Sequence, residues 1–183
     1  MTILDRLSRR RQPRNSTREQ TIRHAEIRRL AIALRENTPA LKTNSAQLRE
    51  IVDDLMPGLT ARRSFGPVTA AQAIVSFSRT GRCRSDAAFA ALAGTSPLET
   101  SSGRTIRHRL NRGGDRALNS AIHTVALVRM RSCPTTRAYV TRRTAEGKTS
   151  REIHRRLKHY IARELYRALT AAPALATTTT PTP

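Results

Sequence analysis

Asp115-Arg116-Ala117-Leu118-Asn119-Ser120-Ala121-Ile122-His123-Thr124-Val125-Ala126-Leu127-Val128-Arg129-Met130 is the stretch that decides the fold. Asp115 is a residue whose carboxylate can accept from the free amides of a first helical turn. Leu118, Ile122, Val125, Ala126 and Met130 follow at helical spacing and give one strongly apolar face. A helix this apolar must be covered, so the rest of the chain is read for what covers it. Ser132-Cys133-Pro134 breaks the helix. A further helix from about Thr135 ends near Gly147, a natural C-cap. Thr149-Ser150-Arg151-Glu152 then has the form of a capping box. The helix it opens carries Ile153, Leu157, Tyr160, Ile161, Glu164, Leu165 and Ala168 on one side, with Arg151, Arg155, Lys158 and Arg163 largely elsewhere.

Reading toward the N-terminus, residues 95–114 are rich in Gly, Ser and Arg and read as a loop or a short hairpin. Ser85 can cap a helix from Asp86 to Ala93 that ends at Gly94. Ser64-Phe65-Gly66-Pro67-Val68-Thr69-Ala70-Ala71 reads as a turn feeding a short apolar helix through Phe77. Two short helices about a glycine turn resemble a helix-hairpin-helix element, whose amides hold a DNA phosphate. Ser64 stands where that element has its first glycine, and a plain pair of core helices fits the same residues. Pro57-Gly58 ends an earlier helix. Ser16-Thr17-Arg18-Glu19 has capping-box form, and Ile22, Ala25, Ile27, Leu30, Ala31 and Leu34 follow it. Asn37-Thr38-Pro39 is expected to stop that helix and start another, lined by Leu41, Leu48, Val52 and Leu55. The expected class is all-α. A disordered basic lead (1–15) precedes a helical pair or coiled-coil-like arm (16–56), a compact helical domain (57–171) and a disordered Thr/Pro tail (172–183).

Composition narrows the partner. Lys plus Arg number 34 against 13 Asp plus Glu, a formal charge of +21 in 183 residues. A field of that size attracts polyanions, and the excess of arginine favours bidentate phosphate contacts. Three Phe, three Tyr and no Trp are few for a protein that stacks bases, so contact with the phosphate backbone is expected. Cys83 and Cys133 lack the spacing of a metal site or disulfide framework, which fits a reducing cytoplasm. No apolar run has membrane-spanning length, and the expectation is a soluble protein with no membrane partner.

The residues with chemistry to offer lie in Ser101-Ser102-Gly103-Arg104-Thr105-Ile106-Arg107-His108-Arg109-Leu110-Asn111-Arg112. Either serine hydroxyl can attack a phosphodiester, while Arg104, Arg107, Arg109 and Arg112 neutralise phosphate charge and His108 can donate to it. The same residues can hold a phosphodiester without reacting, and a Ser-Ser-Gly turn can equally be structural. Gly66 and Thr69, at the start of the hairpin-like helix, are candidates for a further phosphate contact. The acidic residues are dispersed; Asp53 and Asp54 are neighbours on diverging helix positions, and no metal site is expected. His123 is expected in the core; His154 and His159 are expected at the surface.

Four segments then occur in order: Phe65-Gly66-Pro67-Val68-Thr69-Ala70-Ala71, Phe89-Ala90-Ala91-Leu92-Ala93-Gly94-Thr95-Ser96-Pro97, Ser101-Ser102-Gly103, and Leu110-Asn111-Arg112-Gly113-Gly114-Asp115-Arg116-Ala117-Leu118-Asn119. This ordered set, with the stretch from Tyr139 to Leu169, resembles the C-terminal domain of the IS-one-ten / IS-one-sixteen / IS-nine-oh-two class of bacterial insertion-sequence transposases over about residues 40–170. The resemblance implies a DNA recombinase acting in the bacterial cytoplasm at the nucleoid. In that family a RuvC-like domain with a DEDD acidic set and Mg²⁺ accompanies this one, and a structured guide RNA directs the choice of DNA. The family's serine lies in the Ser-Ser-Gly segment and forms a 5′-phosphoserine-type link to DNA, a role that falls here to Ser101 or Ser102, with Ser101 slightly preferred. This sequence shows no RuvC-like segment, so no cofactor is expected in this chain and Mg²⁺ only with such a domain. The expected partners are DNA, possible guide RNA, and a second copy or a full-length transposase. The alternative is a truncated, inactive nucleic-acid-binding remnant or regulator.

Overall fold

A computed structural model of the chain describes residues 2–96, 98–102, 105–109 and 113–171. The elements run α1 (Ile3–Ser8), α2 (Arg18–Leu55), α3 (Pro67–Phe77), α4 (Asp86–Leu92), β1 (Leu98–Ser102), β2 (Thr105–Arg109), α5 (Arg116–Ser132), α6 (Pro134–Ala145) and α7 (Ser150–Thr170). The class is all-α, with one two-stranded antiparallel hairpin among the described residues. The tail expected at 172–183 lies outside them.

The chain forms two compact units, Met1–Gln47 and Leu48 onward. In the first, Ile3–Ser8 is helical, opened by a capping box between Thr2 and Asp5, where an irregular lead was expected. Ser8 is buried, and its carbonyl accepts from Arg28 Nε at 3.1 Å. The start of α2 also corrects the expectation by one residue: Thr17 and Gln20, not Ser16 and Glu19, exchange the capping-box bonds, at 3.0 and 3.3 Å.

The expected break at Asn37-Thr38-Pro39 does not occur, and α2 runs through Pro39. A proline inside a helix removes one ladder donor and crowds the preceding turn, at about 3 kcal/mol. Two neighbouring side chains hold that turn closed. Asn37 Nδ2 donates to the Ala33 carbonyl at 2.8 Å, and Thr38 Oγ1 donates to the Leu34 carbonyl. Strong helix formers on both sides then carry the helix across. The expected pair of helices is one helix.

The second unit begins inside α2. Val52 and Met56 are buried in its core, which places the boundary earlier than residue 56. Phe77, Phe89, Leu118, Ile122, Val125, Ile161, Leu165 and Leu169 make up most of that core. α3 packs on α5, α4 on α7, and α5 on both α6 and α7. Phe77, Phe89 and Tyr166 form an aromatic cluster with ring centroids 5.9–6.2 Å apart. Burying a side chain of this size contributes about 1.5–3 kcal/mol. The Tyr166 hydroxyl remains satisfied by donating to the Cys83 carbonyl at 3.0 Å.

Capping fixes most of the boundaries. Ser85 accepts from Ala88, Asp115 from Ala117 and Leu118, and Thr149 exchanges bonds with Glu152. Gly147, at φ +79°, closes α6. Two of the expected faces change. Tyr160 is 52% exposed and stands outside the core, while Lys158 is half-buried and donates to Asn119 Oδ1.

Candidate nucleic-acid interface

The hairpin joins α4 to α5, and its base is built by Gly94, Gly114, Asp115 and Asn119. Gly94 turns the chain at φ +63° after α4, and Gly114 passes against that turn. A Cβ at Gly114 would stand 2.7 Å from Gly94 N and from the Leu92 carbonyl oxygen, so only glycine fits. Asp115 N–H donates to the same Leu92 carbonyl at 2.7 Å. Asn119 Nδ2 donates to the Ala93 carbonyl at 2.6 Å, and Asn119 Oδ1 accepts from Lys158 Nζ at 2.6 Å. The Gly-Asp-x-x-x-Asn spacing therefore ties the end of α4 to α5 and α7 beneath the hairpin.

Asp115 has a second function besides capping. Its Oδ1 accepts from the Ala117 and Leu118 amides, and its Oδ2 accepts from Ser76 Oγ at 2.6 Å. The Ser76 bond, then the Leu118 amide, hold its carboxyl below the usual range against the effect of burial. Ser76 in turn accepts from Gln72, and its carbonyl accepts from Arg82 Nη1. The C-terminal end of α3 is thereby locked to the base of the hairpin.

Above this base, β1 and β2 pair Leu98↔Arg109, Glu99↔His108, Thr100↔Arg107, Ser101↔Ile106 and Ser102↔Thr105. Ser101 and Ser102 are the last residues of β1 and sit at the tip end of the ribbon. Arg107, His108 and Arg109 follow on the returning strand toward the base. The hairpin thus gathers both candidate serines and three of the candidate basic residues. Arg104 and Arg112 lie outside the described residues.

Gly66 and Thr69 are not part of this cluster. Gly66 is the N-cap of α3, and Thr69 Oγ1 donates to the Gly66 carbonyl at 2.9 Å. The α3 contact with Asp115 is made by Ser76, ten residues further along, or roughly 15 Å of helix. The turn leading into α3 is held from elsewhere. Arg129 donates twice to the Arg63 carbonyl, pairs with both oxygens of Glu164 at 2.7 and 3.0 Å, and lies over the Phe65 ring. Ser64, in the glycine position of the hairpin-like turn, has φ +70°.

The histidines also depart from expectation. His123 is exposed, not buried in the core, and its ring lies 4.5 Å from that of His154. Desolvation first, then Lys158, pulls His123 below the usual imidazole value. Desolvation, His123 and Lys158 do the same to His154. Among the described residues, no group of three or more His, Cys, Asp or Glu side chains converges.

Sequence reading missed a second basic surface, on α7. A cleft of about 440 Å³ is lined by Tyr139, Arg143, Lys148, Arg155, Arg156, His159, Tyr160 and Arg163, among others. Its signal was present as Tyr160 beside Arg156 and Arg163, but the apolar stripe of α7 drew Tyr160 into the predicted core. No helix of the described residues is long and apolar enough to cross a membrane.

No curated protein matches the chain. Residues 59–141, from the turn before α3 into α6, match the model of the Transposase IS116/IS110/IS902 family, a stretch that contains the hairpin together with Gly94, Gly114, Asp115 and Asn119.

Proposed function

We propose that the domain binds DNA during transposition and contributes a nucleophile from the hairpin, Ser101 or Ser102. The observation that carries this is the position of both serines at the tip end of a ribbon whose base is fixed by Gly114, Asp115 and Asn119. A short ribbon on a rigid base can hold a hydroxyl in line with a phosphorus atom, which such a reaction requires. In the step proposed, the serine oxygen forms a bond to phosphorus and the bond from phosphorus to the 3′ oxygen breaks. The serine proton is lost to solvent, and the departing 3′ oxygen takes one up as a hydroxyl. Arg107 and Arg109 on β2, with Arg104 and Arg112, supply positive charge for the phosphorane, and His108 a donor. Gly66 and Thr69, at the other end of α3, make a separate backbone contact with DNA. A RuvC-like domain with Mg²⁺ and a structured guide RNA complete the reaction. The exposed Ile22, Leu30, Leu34 and Leu41 of α2 support association with a second copy or with a full-length transposase.

Covalent capture tests this reading. The protein is incubated with supercoiled DNA bearing the element's ends, the RNA and a RuvC-like domain, then denatured and probed for protein-linked DNA. The expected adduct disappears in Ser101→Ala or Ser102→Ala. Persistence of the adduct in the double variant would refute the assignment. A second reading, a non-catalytic nucleic-acid binder or regulator, is favoured by the +21 charge. It expects no adduct under any combination, together with binding that falls steeply with salt.

A further inference from the structure

The α7 surface carries an inference of its own. Arg156, Tyr160, Arg163 and Arg167 are spaced i, i+4, i+7 and i+11 and so share one stripe of the helix, about 16 Å long. Tyr160 stands between two clefts. On one side lies the 440 Å³ cleft with Arg143, Lys148, Arg155 and Arg156; on the other, a cleft of about 470 Å³ holds Arg62 and Arg167. Tyr160 and Arg163 line both.

The charge in these clefts is only partly compensated. Arg163 pairs with Asp86 and Arg143 with Glu146. Arg155, Arg156 and Arg167 have no carboxylate within ion-pair distance among the described residues. His159 Nδ1, in the wall of the first cleft, is buried without a hydrogen-bond partner among the described residues. The aromatics are distributed in the same direction. Of the chain's six Phe and Tyr residues, Phe65, Phe77, Phe89 and Tyr166 belong to or pack against the core. The other two, Tyr139 and Tyr160, face each other edge-on at 6.4 Å in the first cleft. Arg142 and Arg143 cover the Tyr139 ring, whereas Tyr160 is half exposed.

We infer that this stripe is a track for an unpaired nucleic-acid strand, with Tyr160 stacking on a base and the arginines of the two clefts holding the phosphates to either side. A paired strand keeps its bases stacked on one another and offers no free face to Tyr160, so the site distinguishes a single strand from a duplex. It rests on the proposed function only for the class of partner. α7 lies outside the stretch that matches the transposase family, and the serine step does not involve it.

The test is fluorescence anisotropy of the whole protein with a labelled single-stranded DNA oligonucleotide and with a duplex of the same sequence. Tyr160→Ala is expected to weaken single-strand binding about tenfold, within the range of stacking on one base, and to leave duplex binding within about twofold. Tyr160→Phe should restore the single-strand affinity. Arg156→Gln and Arg167→Gln should each make the log-log salt dependence shallower by about 0.7. Because the chain has no Trp, quenching of tyrosine emission by the oligonucleotide reports the stacking directly, and it should shrink in Tyr160→Ala. Unchanged single-strand affinity in Tyr160→Ala, or an equal loss for duplex, would overturn the track. The readout is equilibrium binding of a free oligonucleotide with no adduct formed, which separates this inference from the serine assignment.

Discussion

At the scale of single residues, Gly114 and Asn119 explain why a short Gly-Gly-Asp motif precedes α5. The glycine permits a backbone contact, and the asparagine spans it to Lys158. Gly114→Ala is expected to destabilise the domain by about 2–3 kcal/mol, because the atoms it meets are backbone and cannot turn aside; urea unfolding measures this. Ser64 shows the reverse case. At φ +70° it carries a strain of about 1 kcal/mol that glycine would not. Ser64→Gly is therefore expected to raise the urea midpoint slightly, and a clear fall would contradict the strain. The presence of Gly114 in a motif was legible in the sequence. Its partner Gly94, twenty residues earlier, was not, because local periodicity carries no information about which turns meet. Cys133 was also silent in the sequence. Hydrogen bonding at Thr136, side chain then backbone, lowers its thiol to about 7, whereas burial pushes Cys83 up.

At the scale of elements, caps were the most readable signal. Ser85, Asp115 and Thr149 each sit where their side chains suggested, since the bonds they make lie within four residues. Asp115→Ala removes the carboxylate oxygen that accepts from two amides and, with it, the Ser76 contact. It should cost about 2 kcal/mol, above a simple cap deletion, and Ser76→Ala should recover part of that difference in a double-mutant cycle. Proline was misread for the opposite reason. Its local penalty at position 39 is real, yet Asn37 and Thr38 bond back to the preceding turn and α2 continues. Pro39→Ala should add helical signal in circular dichroism and should not shorten α2. The hairpin at 98–109 was legible as one of two forms only, because strand pairing depends on a partner as well as on the strand. Tyr160 was misplaced because a 3.6-residue stripe has edges, and an edge residue faces the core or the solvent according to which helix lies beside it.

At the scale of the whole molecule, charge and partly desolvated histidines set the response to conditions. His123, His154 and His159 are all held below the usual imidazole value, mainly by burial. The unfolded chain therefore binds protons on these rings before the folded chain does. Stability should be full above about pH 6.5 and fall as the pH drops through that value. Asp86 and Asp115 are held low by Arg163 and by Ser76 respectively, so their contribution is lost only below about pH 4. Chemical unfolding between pH 8 and 5 should show the histidine step, and His154→Gln should flatten it; a stability that rises on acidification would contradict the assignment.

The proposed joining of a hairpin serine to DNA is read out by localising the adduct with mass spectrometry. Trypsin should release residues 85–104 as one peptide, since Arg84 and Arg104 flank both serines. After capture with a RuvC-like domain and RNA, then nuclease trimming, that peptide should carry a nucleotide phosphate on Ser101 or Ser102. A nucleotide on any other residue, or unmodified peptide despite DNA cleavage, would contradict the account.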